Sequence, residues 1–153
     1  MPAPSALELL IDLATNNADA QARNLGSALA RESSQSKRLE MLHNYRGEYL
    51  GSFDRARRSG LTATALINFY NFLQKLDSAI DQQAVAVRQM QAQTAQARAE
   101  LIAADIKRKS LETLQDRRIA ADRVVESRRE RRAEDETASR LAIHGSGLEN
   151  RRT

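Results

Sequence analysis

No cysteine and no tryptophan occurs among the 153 residues. The first absence excludes a disulfide framework, a thiolate metal site and a cysteine nucleophile together. Proline is confined to positions 2 and 4, so nothing further along removes a backbone donor and stops a helix. Only six glycines are present, too few for the closely spaced reversals of an all-β or alternating α/β chain. Aromatic residues make up 4% of the sequence, little bulk for a compact core. Apolar runs fall far short of the roughly 20 residues that a membrane-spanning helix needs, and mean hydropathy is −0.59. The first basic residue is Arg23, so the basic start of a secretory signal is missing and no targeting segment is expected. What remains is long helix.

Charge is plentiful but nearly balanced: 24 basic against 20 acidic residues, a net +4. Such a surplus is local and permits an acidic partner. The basic segment that includes Arg123, Arg128, Arg129, Arg131 and Arg132 is interspersed with Asp122, Glu126, Glu130 and Glu134 at helical spacings. Weak pairs of roughly 0.2–0.5 kcal/mol each on a solvated face account for it, and docking on an acidic protein surface is the competing reading. Nucleic acid is not expected, because no aromatics are interleaved for base stacking and no groove-reading motif occurs.

Two stripes organise the chain. Phe69, Leu73, Leu76, Ile80, Gln83, Val87, Met90, Thr94, Ala97, Leu101, Ala104, Arg108 and Leu111 alternate steps of four and three, the spacing of a coiled-coil seam. A less regular continuation runs through Leu114, Arg118, Ala121 and Val125, with a phase slip after Leu111. Leu7, Leu10, Ala14, Ala18, Ala22, Leu25, Leu29, Glu32, Ser36, Leu39, Arg46, Tyr49 and Phe53 form the earlier stripe. Between them, Ser59-Gly60-Leu61-Thr62 supplies a left-handed position for Gly60 and a cap at Thr62 or Thr64.

These features predict a single all-α domain over 1–153, a long two-helix antiparallel coiled-coil hairpin. Helix one is expected at about 5–56, the turn at 57–63, helix two at about 64–141, and a polar tail at 142–153, after His144-Gly145-Ser146-Gly147 begins to break the pattern. The arms are unequal, about 75 and 115 Å at 1.5 Å per residue, so the arginine-rich C-terminal third is left without an intrachain partner. A parallel dimer of unbroken helices is the alternative, disfavoured by the break at Ser59-Gly60.

Catalytic and metal-binding constellations are missing. His43 and His144 are far apart, no glycine-rich phosphate loop precedes a helix, and no nucleophile elbow occurs. No enzyme activity, metal or cofactor is expected. The distinctive content is aromatic: Tyr45, Tyr49, Phe53, Phe69, Tyr70 and Phe72 all flank the turn. On a helical wheel Phe72, Ala79 and the edges of Leu76 and Gln83 lie beside the seam of helix two, while Leu42, Tyr45 and Tyr49 turn away from Leu39, Arg46 and Phe53 on helix one. That band is wider than a two-stranded seam buries and marks a protein interface; an internal end-cap is the alternative.

The stretch Leu42-His43-Asn44-Tyr45-Arg46-Gly47-Glu48-Tyr49, the turn, and Ile67-Asn68-Phe69-Tyr70-Asn71-Phe72 followed by Leu76, Ala79, Ile80 and Gln83 resembles the flagellar FliJ family. Leu25-Gly26 and the leucine-rich start are similar too. The resemblance implies an antiparallel coiled coil like the central stalk of rotary ATPases, a non-catalytic part of the flagellar type III export apparatus. It further implies that the terminal end sits in the central hole of the hexameric export ATPase, that the hairpin end reaches the cytoplasmic domain of the export gate, and that export chaperones are escorted. The gate-binding residues it carries over are Leu42, Tyr45, Tyr49, Phe72, Leu76, Ala79 and Gln83, with Gln83 where His is familiar and Arg38 where Gln is. Arg123, Arg128, Arg129, Arg131 and Arg132 are the candidate ATPase-binding arm. The implied location is the cytoplasm, peripheral to the inner face of the cell membrane at the flagellar base, without direct membrane insertion. A stalk of a virulence-type secretion system or a general coiled-coil scaffold is the alternative.

Overall fold

A computed structural model describes residues 3–149. It contains two helices, α1 (Ala6–Ser59) and α2 (Ala63–Glu149). α1 opens with a reciprocal cap: the Ser5 amide donates to Glu8 Oε2 at 2.7 Å and the Glu8 amide to Ser5 Oγ at 3.2 Å. Two otherwise orphaned donors are thereby satisfied, and the Ser-x-x-Glu spacing is the signal that marks this start.

The reversal between the helices takes three residues because Gly60 adopts φ 94°, a conformation that side-chain-bearing residues resist. Its amide donates to the Arg57 carbonyl at 3.3 Å. Thr62 then caps α2, with its Oγ1 accepting from the Ala65 amide at 3.1 Å. α2 ends later than the sequence pattern indicates: it runs through Gly145 and Gly147 to Glu149, whereas residues 150–153 of the expected tail lie outside the described part. Glycine weakens a helix by only about 1 kcal/mol, which a continuing hydrogen-bond ladder absorbs.

The chain divides into two compact units, Leu13–Ile106 and the remainder. Within the first, α1 and α2 pack antiparallel as the expected hairpin. Every seam position expected on α2 from Phe69 to Ala104 is buried or half-buried. On α1 the seam differs from the expected stripe. Gln21, Ala28 and Gln35 face inward, while Ala22, Leu29 and Ser36 are exposed; Ala28 is 3% exposed against 42% for its neighbour Leu29. An unbroken alternation of three and four is what keeps one face on the partner helix. Choosing the larger apolar residue at each turn departs from that phase, and the phase wins.

The consequence is a seam containing small and polar side chains. Gln83 Nε2 on α2 donates to both the carbonyl oxygen and Oε1 of Gln35 on α1, at 2.9 and 2.7 Å. Arg46 Nε donates to Asp77 Oδ1 at 2.6 Å. That hydrogen bond first, and the Asp77 charge second, raise the Arg46 pKa above its ordinary value, so the guanidinium stays charged at any working pH. Raised in the fold, it lies far above neutrality and introduces no pH dependence there. Thr94 is 5% exposed, and its Oγ1 has no hydrogen-bond partner.

In the other unit, Leu7 is buried at 8% exposure and Ile11, Arg108, Leu111 and Gln115 are half-buried. Leu10, expected in the stripe, is 49% exposed, because Ile11 keeps the phase set by Leu7 and Ala14. On α2 the same phase ends on Gln115, leaving Leu114, Arg118, Ala121 and Val125 exposed. From Asp116 through Gly147 every residue is exposed, as expected for an arginine-rich third with no intrachain partner. Among the described residues, no helix is long and apolar enough to cross a membrane.

Two substitutions test this account by chemical denaturation of the full chain. Thr94→Val removes the unpartnered hydroxyl at nearly constant shape and is expected to stabilise by about 1 kcal/mol. Gly60→Val forces a branched side chain into the left-handed region and is expected to destabilise by about 1–2 kcal/mol.

Candidate partner-docking surface

The aromatic residues occupy the last turns of α1 and the first turns of α2, so the reversal at Gly60 brings them together. Phe53 and Phe69 stack across the seam with centroids 3.7 Å apart, and Phe69 is 8% exposed. Tyr49 stacks on Phe69 at 4.8 Å and tilts against Phe72 at 4.5 Å. Tyr45 meets Phe72 edge-on at 6.2 Å and lies 6.5 Å from Tyr49. Each such pair adds about 0.5–1.5 kcal/mol beyond area burial, which holds the outer rings in place against rotamer freedom.

Those outer rings remain open to solvent. Tyr45 is 48% exposed and Phe72 37%, and Met41, one turn before Tyr45, is 69% exposed. Beside them Arg38, Met41, Leu42, Asn44, Tyr45, Glu48 and Gln83 line a groove of about 570 Å³. Its floor is apolar and its ends carry one positive and one negative side chain, an arrangement suited to an apolar anchor from another protein with a polar flank.

The residues carried over by resemblance fall into three situations. Tyr45 and Phe72 are exposed, with half-buried Leu42, Tyr49 and Ala79 around them. Leu76 is 6% exposed and lies in the seam. Gln83 lines the groove while its amide nitrogen is engaged by Gln35. Met41 and Glu48 were missed. A large apolar residue off the seam phase, one turn from an exposed tyrosine, is the signal that identifies Met41 as a groove residue.

The second candidate surface stands apart from any groove of aromatics. Arg123, Arg128, Arg129, Arg131 and Arg132 are all exposed. The described residues show no ion pair from these five arginines to the interspersed carboxylates; the pair found nearby is Arg140 to Glu136 at 3.9 Å. Exposed Asp122, Glu126, Glu130 and Glu134 stand among them, and Arg132 shares a shallow groove with Asp135 and Glu136. Among the described residues, no group of three or more His, Cys, Asp or Glu side chains gathers to hold a metal ion.

Interlocked and outer rings separate under mutation. Tyr49→Ala removes a ring clamped between Phe69 and Phe72, and is expected to destabilise the fold by about 2–3 kcal/mol. Tyr45→Ala is expected to cost less than about 1 kcal/mol. Equal losses in denaturant titration contradict the assignment of Tyr45 as an outward-facing anchor.

Comparison with known proteins places the chain. The family model described as "Flagellar FliJ protein" matches residues 4–147. A flagellar FliJ protein of Salmonella typhi is 31% identical over 138 residues, covering 90% of this chain and 94% of the relative. One of Escherichia coli (strain K12) is 29% identical over 138 residues, with the same coverage. With a family match over nearly its whole length, relatives that align from end to end, and a two-helix hairpin with aromatics at its turn, the chain belongs to the flagellar FliJ protein family.

Proposed function

We propose that this protein is a non-catalytic coupling component of the flagellar type III export apparatus, linking the hexameric export ATPase to the cytoplasmic domain of the export gate and escorting export chaperones. The carrying observation is the solvent-open flank of Tyr45 and Phe72, held rigid by Tyr49 and Phe69 beneath it. Exposed, pre-ordered aromatic rings next to an apolar groove lose little entropy when they dock, and they are the residue types that anchor protein interfaces. Family membership supports the flagellar setting over a virulence-type stalk or a general scaffold.

In this reading Leu42, Tyr45, Tyr49, Phe72, Ala79 and Gln83 form the gate-docking flank, supported from within by Leu76. Arg123, Arg128, Arg129, Arg131 and Arg132 form the arm for an acidic surface of the ATPase. Unpaired arginines suit that task because no intrachain ion pair has to be broken first. The site of action is the cytoplasmic side of the cell membrane at the flagellar base.

A binding assay with purified gate cytoplasmic domain and purified ATPase tests both halves. Tyr45→Ala plus Phe72→Ala is expected to lower gate affinity at least tenfold, with helicity unchanged and swimming impaired. Reversal to Glu at Arg128, Arg129, Arg131 and Arg132 is expected to weaken ATPase binding at physiological salt and leave gate binding intact. A double aromatic variant that binds the gate and swims like the parent refutes the flank assignment; unchanged ATPase affinity refutes the arm.

A further inference from the structure

The turn carries a second apolar surface that the docking flank does not use. Leu66, Ile67 and Tyr70, in the first turns of α2, are 37%, 59% and 55% exposed. Tyr70 touches Phe53 and Phe69 on its inner side, with centroids at 6.5 and 5.8 Å, which fixes the ring while its outer edge faces water. Each helical residue advances about 100° around the axis, so Tyr70 and Phe72 differ by about 200° and lie on different faces.

The same end of the hairpin is cationic. Arg55, Arg57 and Arg58 occupy the last turns of α1 and are all exposed. Arg55 Nη2 donates to Ser52 Oγ at 3.1 Å, and the described residues show no ion pair to Arg57 or Arg58. No acidic residue occurs between Asp54 and Asp77. The same end of the hairpin therefore carries Arg57 and Arg58, flanked by Asp54, together with exposed leucine, isoleucine and tyrosine, while Arg55 turns back along α1 into a groove with Ser52 and Glu48.

We propose that this hairpin tip, Arg57 and Arg58 together with Leu66, Ile67 and Tyr70, rests directly on the headgroup region of an anionic lipid bilayer. The tip offers cationic heads and apolar side chains together. A bilayer interface satisfies both: arginine stems extend along the apolar boundary with their heads at phosphate level, tyrosine settles with its hydroxyl at the headgroups, and the aliphatic tips enter the acyl boundary. Each basic residue near an anionic surface contributes roughly a fivefold gain in affinity, and the apolar contact adds to it. This contact lies at the interface and involves no spanning segment. It is independent of the gate and ATPase assignments, because it uses other residues and needs no protein partner.

Vesicle co-sedimentation with the purified full chain tests it, using phosphatidylcholine vesicles and vesicles that also contain phosphatidylglycerol. Binding is expected only to the anionic vesicles and is expected to weaken as salt rises. Arg57→Glu plus Arg58→Glu should lower affinity more than about 25-fold, and Ile67→Ser plus Tyr70→Ser about tenfold or more. Since the chain has no tryptophan, Tyr70→Trp supplies a unique fluorophore whose emission should shift to the blue on anionic vesicles alone. Circular dichroism on each variant confirms that the helices persist. Absence of binding at low salt, parent-like binding by both tip variants, or an unshifted Trp emission each overturns the proposal. So does tip-dependent capture of polyglutamate without vesicle binding, which assigns the surface to an acidic protein. None of these outcomes bears on gate docking, and loss of gate binding in the Tyr45 and Phe72 variant does not bear on the lipid contact.

Discussion

A coiled-coil seam with an unbroken three-four spacing determines the position of the features within residues 13–106. Because each helix must keep the same face toward its partner, the residue at a given seam position is set by phase and not by size. Ala14, Ala18 and Ala28 are buried to 6%, 5% and 3% exposure, while Leu13 and Leu29 stand outside at 66% and 42%. Small residues at the seam let two backbones approach closely but bury little area per layer, at roughly 25 cal/mol per Å². Stability must then come from length and from the aromatic end, where Phe53, Tyr49, Phe69 and Phe72 interlock.

Polar residues on this seam have a different effect. Gln83 reaches across to Gln35, and Arg46 to Asp77. A polar layer is satisfied only when its two members stand opposite one another, so a slip along the seam leaves both unpaired. An alanine-rich interface by itself discriminates weakly between registers. The Gln35–Gln83 and Arg46–Asp77 contacts favour the register that the short turn at Gly60 sets, in which these aromatic residues of α1 meet those of α2. The geometry of the Tyr45–Phe72 flank therefore depends on the turn and on these contacts together.

Much of this was legible in the sequence. Lack of proline after position 4, the alternating spacing on α2, the Ser59-Gly60 break and the clustering of aromatics lead to a two-helix hairpin with a surplus apolar face. The arginine-rich third without intrachain cover was legible as well, from the unequal arms. Less accessible was the phase of α1, where Leu10, Ala22, Leu29 and Ser36 looked as suitable as Ile11, Gln21, Ala28 and Gln35. Two neighbouring stripes differ by one residue, and hydrophobicity alone cannot choose when the true seam carries alanine and glutamine. The end of α2 was misread for a related reason: Gly145 and Gly147 weaken a helix without ending it, since no left-handed residue or competing cap follows within the described chain.

What the sequence by itself determined is that this chain is helical, reverses once, and has more aromatic surface near the reversal than one seam can hide. Those properties follow from local chemistry: φ restrictions at Gly60, the missing prolines, and the periodicity of apolar side chains. Only the tertiary structure decided which of the aromatic residues became core and which stayed outside. Phe69 and Tyr70 are adjacent and chemically alike, yet one is 8% and the other 55% exposed, because burial belongs to the side facing the other helix and that side is defined only when the two are packed. Leu76, expected among the contact residues, is 6% exposed for the same reason.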